Sequence, residues 1–183
     1  MTPVLETASL RLGSRRTHGR AINAVAELLR RRLSVPEIYL DPKIPRLSAV
    51  DVLAVDRAGS GDFHAAEVKA IGELLPRAEL RRMLTAVKEL PFHYKYLALP
   101  SYASNLADPH LRFAEYPELF AETGIGRVGI ISFDPKILIA STEIDRTSAV
   151  LTIKPERFLV RGEKLSIIEK FLTKAKPDMS VRL

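Results

Sequence analysis

The stretch that decides the reading is residues 48–70, SAVDVLAVDRAGSGDFHAAEVKA. Ser48 to Val55 is largely apolar and β-branched and contains neither Gly nor Pro, which predicts a strand. Asp56-Arg57-Ala58-Gly59-Ser60-Gly61-Asp62 then concentrates turn-forming residues, and Phe63 to Ala70 resumes as a second strand. The two form an antiparallel hairpin. Symmetry about Gly59 pairs Val55 with Phe63, Leu53 with Ala65 and Asp51 with Glu67. Alternation puts Asp51 on the face of Leu53 and Val55, and Glu67 and Lys69 on the face of Phe63 and Ala65. Both carboxylates then project from one side, roughly 5 Å apart at Cβ.

Two carboxylates opposed in an apolar hairpin repel unless a cation or a shared proton relieves them. Oxygen ligands from Asp51 and Glu67, with the backbone carbonyl of Val68 and waters, suit Mg2+ or Mn2+. Lys69 is placed to hold or help deprotonate a water, or to stabilise charge on a phosphate. A metal that acidifies bound water, with a cation beside it, is a site for phosphodiester hydrolysis.

The flanking sequence supplies a frame for the hairpin. Ile22, Ala26, Leu29 and Leu33 recur at helical spacing and predict a helix from Thr17 to Leu33. Ser34, Val35 and Pro36 stop it, and Glu37 to Leu40 follows as a short strand. Pro76 suits the first turn of a second helix, whose buried stripe is Leu80, Met83, Leu84, Val87 and Leu90. Strands are expected at Tyr94 to Leu99, Arg127 to Phe133, Lys136 to Ala140 and Ala149 to Ile153. Short helices are expected at Pro117 to Thr123 and Ser166 to Lys174. The order of helix, three strands, helix and strand, then a mixed tail, argues for an α/β fold with a central mixed sheet flanked by helices.

Asp51, then fifteen residues, then Glu67-Val68-Lys69, carried on consecutive apolar strands, resembles the signature of the PD-(D/E)xK nuclease superfamily. The element order over residues 17 to 100 is similar to the restriction-endonuclease-like core of that superfamily, with extra C-terminal strands and a helix. Val50 stands where the motif's name places proline. The resemblance implies that Asp51 and Glu67 bind Mg2+ (or Mn2+) and that Lys69 assists the attacking water. It implies a metal-dependent endonuclease acting on DNA in repair, recombination or defence, with pairing into a homodimer one way to cut two strands. Resolvase-like members carry a glutamate on the first helix. Here Asn23 holds that place with Glu27 one turn later, either of them an accessory ligand, and Glu27 otherwise a surface glutamate. A catalytically inactive module of the same fold, binding nucleic acid or a protein partner, is the alternative. With no such role at all, Glu67 and Lys69 form a local ion pair and Asp51 caps a turn.

The 183 residues suit one domain, with residues 1–16 a basic N-terminal arm and 17–183 the nuclease-like domain. Apolar residues make up 46% and charged residues 27%, which excludes the disordered class. Without cysteine there is no disulfide and no thiolate metal site, so a metal must take oxygen or imidazole ligands. No stretch is apolar enough to span a membrane, and a cytoplasmic protein is expected. A net charge of +6 and a pI near 9.7 favour a polyanionic partner. Arg11, Arg15, Arg16 and Arg20, with Arg77, Arg81 and Lys88 on the second helix, are candidates to line a groove for DNA phosphates. Arg30-Arg31-Arg32 is explained by the helix C-terminus, and Tyr94 and Tyr96 as core strand positions. His18, His64, His93 and His110 show no zinc-site spacing.

Overall fold

In a computed structural model the structure describes residues 3–34, 36–69, 77–100, 128–133 and 149–178. The first helix, α1, is Pro3–Arg32. It begins well before the expected Thr17 because Pro3 suits a first helical position and no further proline interrupts the chain up to Arg32. The backbone expected as an arm from residue 3 onward is therefore helical. Strands β1 (Glu37–Leu40), β2 (Val52–Val55) and β3 (Phe63–Val68) follow, then α2 (Arg77–Lys88) and β4 (Tyr94–Pro100). Strands β5 (Gly129–Phe133) and β6 (Ala149–Ile153) and helix α3 (Glu163–Lys174) complete the described elements. The short helix expected at 117–123 and the strand at 136–140 lie outside the described residues.

The strands form one six-stranded mixed sheet in the order β1-β2-β3-β4-β5-β6. β1, β2 and β3 are an antiparallel meander, β3, β4 and β5 run parallel, and β6 returns antiparallel. The parallel step from β3 to β4 needs a crossover, and α2 supplies it. The hairpin register is the one symmetry about Gly59 predicts, with Val55 opposite Phe63 and Leu53 opposite Ala65. Gly61 takes a φ of 75°, a left-handed turn conformation in which a side chain would be strained.

Alternation along the strands divides the core in two. Val52, Ala54, Ala66, Val68 and Ala98 belong to the cluster with Ala21, Ala24, Val25 and Leu29 of α1. Alanines at the sheet's centre let this helix approach closely. Leu53, Val55, Ala65, Leu97 and Leu99 belong to the opposite cluster, with Met83, Leu84 and Val87 of α2 and Ile168 and Leu172 of α3. β2 and most of β3 are therefore buried on both faces, which explains their near-continuous apolar sequence. Helices on both faces of an open mixed sheet make an α/β protein in three layers.

Two buried polar groups tie the chain after β6 to the sheet. Arg157 forms a forked bond to Asp62 at 2.7–3.2 Å, and the Phe158 N–H donates to the His93 carbonyl at 2.7 Å. Lys95 on β4 donates its ammonium to the Lys88 carbonyl at the end of α2 and lies 4.0 Å from the Phe158 ring centroid. Burial pushes that ammonium down to about 8.

Candidate active site

The site residues stand where β2 begins and β3 ends. Asp51 lies one residue before β2, and its carbonyl still accepts the Asp41 N–H at 2.8 Å, in the register of the β1–β2 ladder. On its other side the Asp51 N–H donates to the Ala66 carbonyl at 3.1 Å. The β2–β3 register would match Asp51 with Glu67, so the ladder slips by one residue at this point. The slip turns the Asp51 carboxylate onto the backbone of β3, where Oδ2 accepts the Val68 N–H at 2.7 Å. Direct opposition of Asp51 and Glu67 is thereby replaced by a charge-assisted bond to the peptide between Glu67 and Lys69.

His18 of α1 arrives at the same residue, on its carbonyl side. Its Nε2 is 3.1 Å from the Val68 carbonyl oxygen and 3.8 Å from Asp51 Oδ1. One carboxylate oxygen, one peptide carbonyl and one imidazole nitrogen thus converge at the end of β3. His18 is four residues before Ile22 and seven before Val25, so it continues a buried stripe of α1 towards the N-terminus. A polar residue at the end of an apolar stripe was the signal available in the sequence, and a search for zinc spacing passes over it.

Glu67 and Lys69 stand on the other face, by strand alternation. Lys69 Nζ donates to Glu67 Oε1 at 2.6 Å, the local ion pair that a non-catalytic reading also expects. Backbone extension holds Lys69 in place beyond β3, its N–H donating to the Ala98 carbonyl of β4 at 2.9 Å. Both side chains line a partly open cleft of about 190 Å3 with Ser48, Ala49, the α2 residues Arg82, Met83, Ala86 and Val87, and Leu90 just beyond that helix. Asp51, Val68 and His18 on one side, and Glu67 and Lys69 on the other, therefore stand on the two faces of the sheet at the end of β3.

The first-helix candidates point elsewhere. At about 100° per residue, Asn23 is turned about 140° and Glu27 about 180° from His18 around the α1 axis. Glu27, expected at the surface, is only 9% exposed, and it is bonded by the Arg30 guanidinium at 2.8 and 2.9 Å. A buried carboxylate already held by a two-point guanidinium contact is a structural residue of α1. Of the groove candidates, Arg20 is half-buried, Arg81 is exposed and Lys88 is half-buried. The side chains of Arg11, Arg15, Arg16 and Arg77 lie outside the described residues.

His64 and the two tyrosines belong to the core, as their strand positions predict. His64 stacks on Tyr94 with ring centroids 4.5 Å apart, and its Nδ1 is 3.0 Å from the Tyr96 hydroxyl. Burial pushes its imidazole down to about 4.

The donors at the Val68 peptide suit a hard divalent cation that keeps part of its water shell, since such an ion needs only one or two carboxylates. The His18 Nε2–H donates to the Val68 carbonyl and so offers no lone pair in this arrangement, which leaves oxygen donors that suit Mg2+ and Mn2+ alike. Among the described residues no three His, Asp or Glu side chains gather closely enough to enclose a metal on their own, so the Val68 carbonyl and water would complete the shell. No helix among the described residues is long and apolar enough to cross a membrane. Compared with known proteins, the chain matches no family model and no curated protein.

Proposed function

We propose that this protein is a divalent-metal-dependent nuclease that hydrolyses DNA phosphodiester bonds at the Val68 peptide, with Asp51, Glu67 and Lys69 as its reactive groups. The observation that carries the reading is the convergence of Asp51 Oδ1, the Val68 carbonyl and His18 Nε2 at the end of β3, with Lys69 on the opposite face of the same strand end. A helix, a three-stranded meander, a helix and a parallel strand frame it, the order similar to the restriction-endonuclease-like core. A bound Mg2+ or Mn2+ would lower the pKa of a water and offset phosphate charge.

The chain's own residues do the remaining work. The Val68 N–H fixes the Asp51 carboxylate through Oδ2, and Oδ1, on the side of His18, would be the oxygen that holds the cation. Glu67 holds the Lys69 ammonium at 2.6 Å, and when a phosphate enters, Lys69 orients the water and neutralises developing oxyanion charge. Basic residues on α1 and α2, within a chain of net charge +6, supply affinity for the phosphate backbone with little base preference. Repair, recombination and defence are all roles for such an activity.

The closed Glu67–Lys69 ion pair favours a second reading, a nuclease-type fold that binds DNA without cutting it. One assay separates the two: single-stranded, duplex and branched DNA are incubated with the protein and Mn2+ or Mg2+, with a chelator as control. Metal-dependent cleavage that Lys69→Ala removes supports the enzyme. Salt-sensitive binding with every substrate left intact transfers the case to the binding module.

A further inference from the structure

The cleft between α2 and residues 48–49 opens directly beside Glu67 and Lys69, and its remaining lining, from Ser48, Ala49 and residues 82–90, has no part in the hydrolysis itself. Its floor is apolar, formed by Met83, Val87 and Leu90, which are 5%, 2% and 7% exposed. Among the described residues its rim carries Lys69, Arg82 and Glu67. At about 190 Å3 it is smaller than the roughly 300 Å3 at which pockets for drug-sized ligands begin, so it takes a single ring-sized group. An apolar floor, a cationic rim and direct continuity with Lys69 match one nucleotide: the base lies on the floor and its phosphate meets the rim.

We propose that this cleft is a nucleotide subsite that receives one unstacked nucleotide next to the bond cleaved, so that the preferred substrate is DNA with unpaired nucleotides. The proposal rests on the nuclease reading for the identity of the strand, and it names the substrate class of that site. A base inside continuous duplex reaches the cleft only after it leaves the stack, which costs a few kcal/mol, whereas an unpaired base avoids that cost. Ala86 is an exposed rim position on α2, so its substitution by a large ring fills the cleft without disturbing the buried stripe.

The test compares binding of a short oligothymidylate and of a blunt duplex of equal charge, both in chelator so that no strand is cut, for wild type, Ala86→Trp and Arg82→Gln. Wild type is expected to favour the unpaired strand by about tenfold, the low end of the unstacking cost that only the duplex has to meet. Ala86→Trp, with unchanged circular dichroism, is expected to bring that ratio to about one, and Arg82→Gln to weaken the unpaired strand more than the duplex. Equal wild-type affinities, or a ratio that survives in both variants, overturns the subsite. Should Ala86→Trp fail to fold, Arg82→Gln decides alone. Cleavage assays keep the two readings apart. A wild type that binds unpaired DNA selectively but cuts nothing with Mn2+ removes the nuclease reading and keeps the subsite. Equal cutting of duplex and unpaired strands does the reverse.

Discussion

The Asp51 carboxylate accepts the backbone N–H of Val68 at 2.7 Å, across seventeen residues of chain. This bond closes the open end of the hairpin at the one place where the ladder slips, and it gives Asp51 a structural and a chemical role together. The two roles are separable by substitution. Asp51→Ala removes a charged acceptor from a part-buried N–H and is expected to cost about 2 kcal/mol, read as a lower urea midpoint. Asp51→Asn keeps an oxygen acceptor and is expected to retain most of that stability while losing metal-dependent cleavage. An Asn variant that cuts as fast as wild type would remove Asp51 from the reaction.

Lys69 offers the opposite balance. Its ion pair with Glu67 is partly solvated, with side chains 35% and 24% exposed, so breaking it is expected to change stability by less than about 1 kcal/mol. Cleavage is expected to fall by roughly 100-fold or more in Lys69→Ala, the range lost with a positioned proton-transfer group. Single-turnover rates on DNA, set beside urea melts, check both halves.

The Asp62–Arg157 contact predicts a dependence on acid. The Arg157 guanidinium bonded to Asp62 holds that carboxyl below its ordinary 3.8, with the nearby His93 adding to the effect. A depressed folded-state value means that the stabilisation is present above about pH 3.8 and is lost as pH falls through the folded value. Arg157→Ala is therefore expected to be less stable than wild type at pH 7, with the difference shrinking below pH 3.8. Urea titrations across that range measure it; a pH-independent gap would show that packing, and not the charge pair, is what the variant loses.

His64 predicts a second, milder acid sensitivity. Burial lowers its imidazole to about 4, against the pull of Asp56 and Asp62 and with His93 reinforcing it, while the unfolded chain titrates near 6.5. Between those values the unfolded state binds the extra proton, so stability falls as pH drops from 6.5 to 4. The slope contributed is up to about 1.4 kcal/mol per pH unit. His64→Phe keeps the stacking on Tyr94, loses the contact to the Tyr96 hydroxyl and is expected to flatten the profile over that interval. Chemical denaturation at several pH values from neutral to 4 compares the two proteins.

The sequence by itself determined the strands around Gly59, the pairs Val55–Phe63 and Leu53–Ala65, the buried stripe of α2 and the order of the elements. These follow from alternation, helical period and turn residues, which act over a few neighbouring positions. It also placed Glu67 and Lys69 on one face, because their side chains are two residues apart on a strand. Only the tertiary structure decided where Asp51 points. A one-residue slip is invisible in a pattern of apolar residues, and it arises where β2 must satisfy Asp41 on one side and Ala66 on the other. Tertiary packing likewise brought His18 to Val68 from fifty residues away and joined Arg157 to Asp62 across ninety-five. Such contacts depend on how α1 and the chain after β6 lie against the sheet, and no local period encodes that.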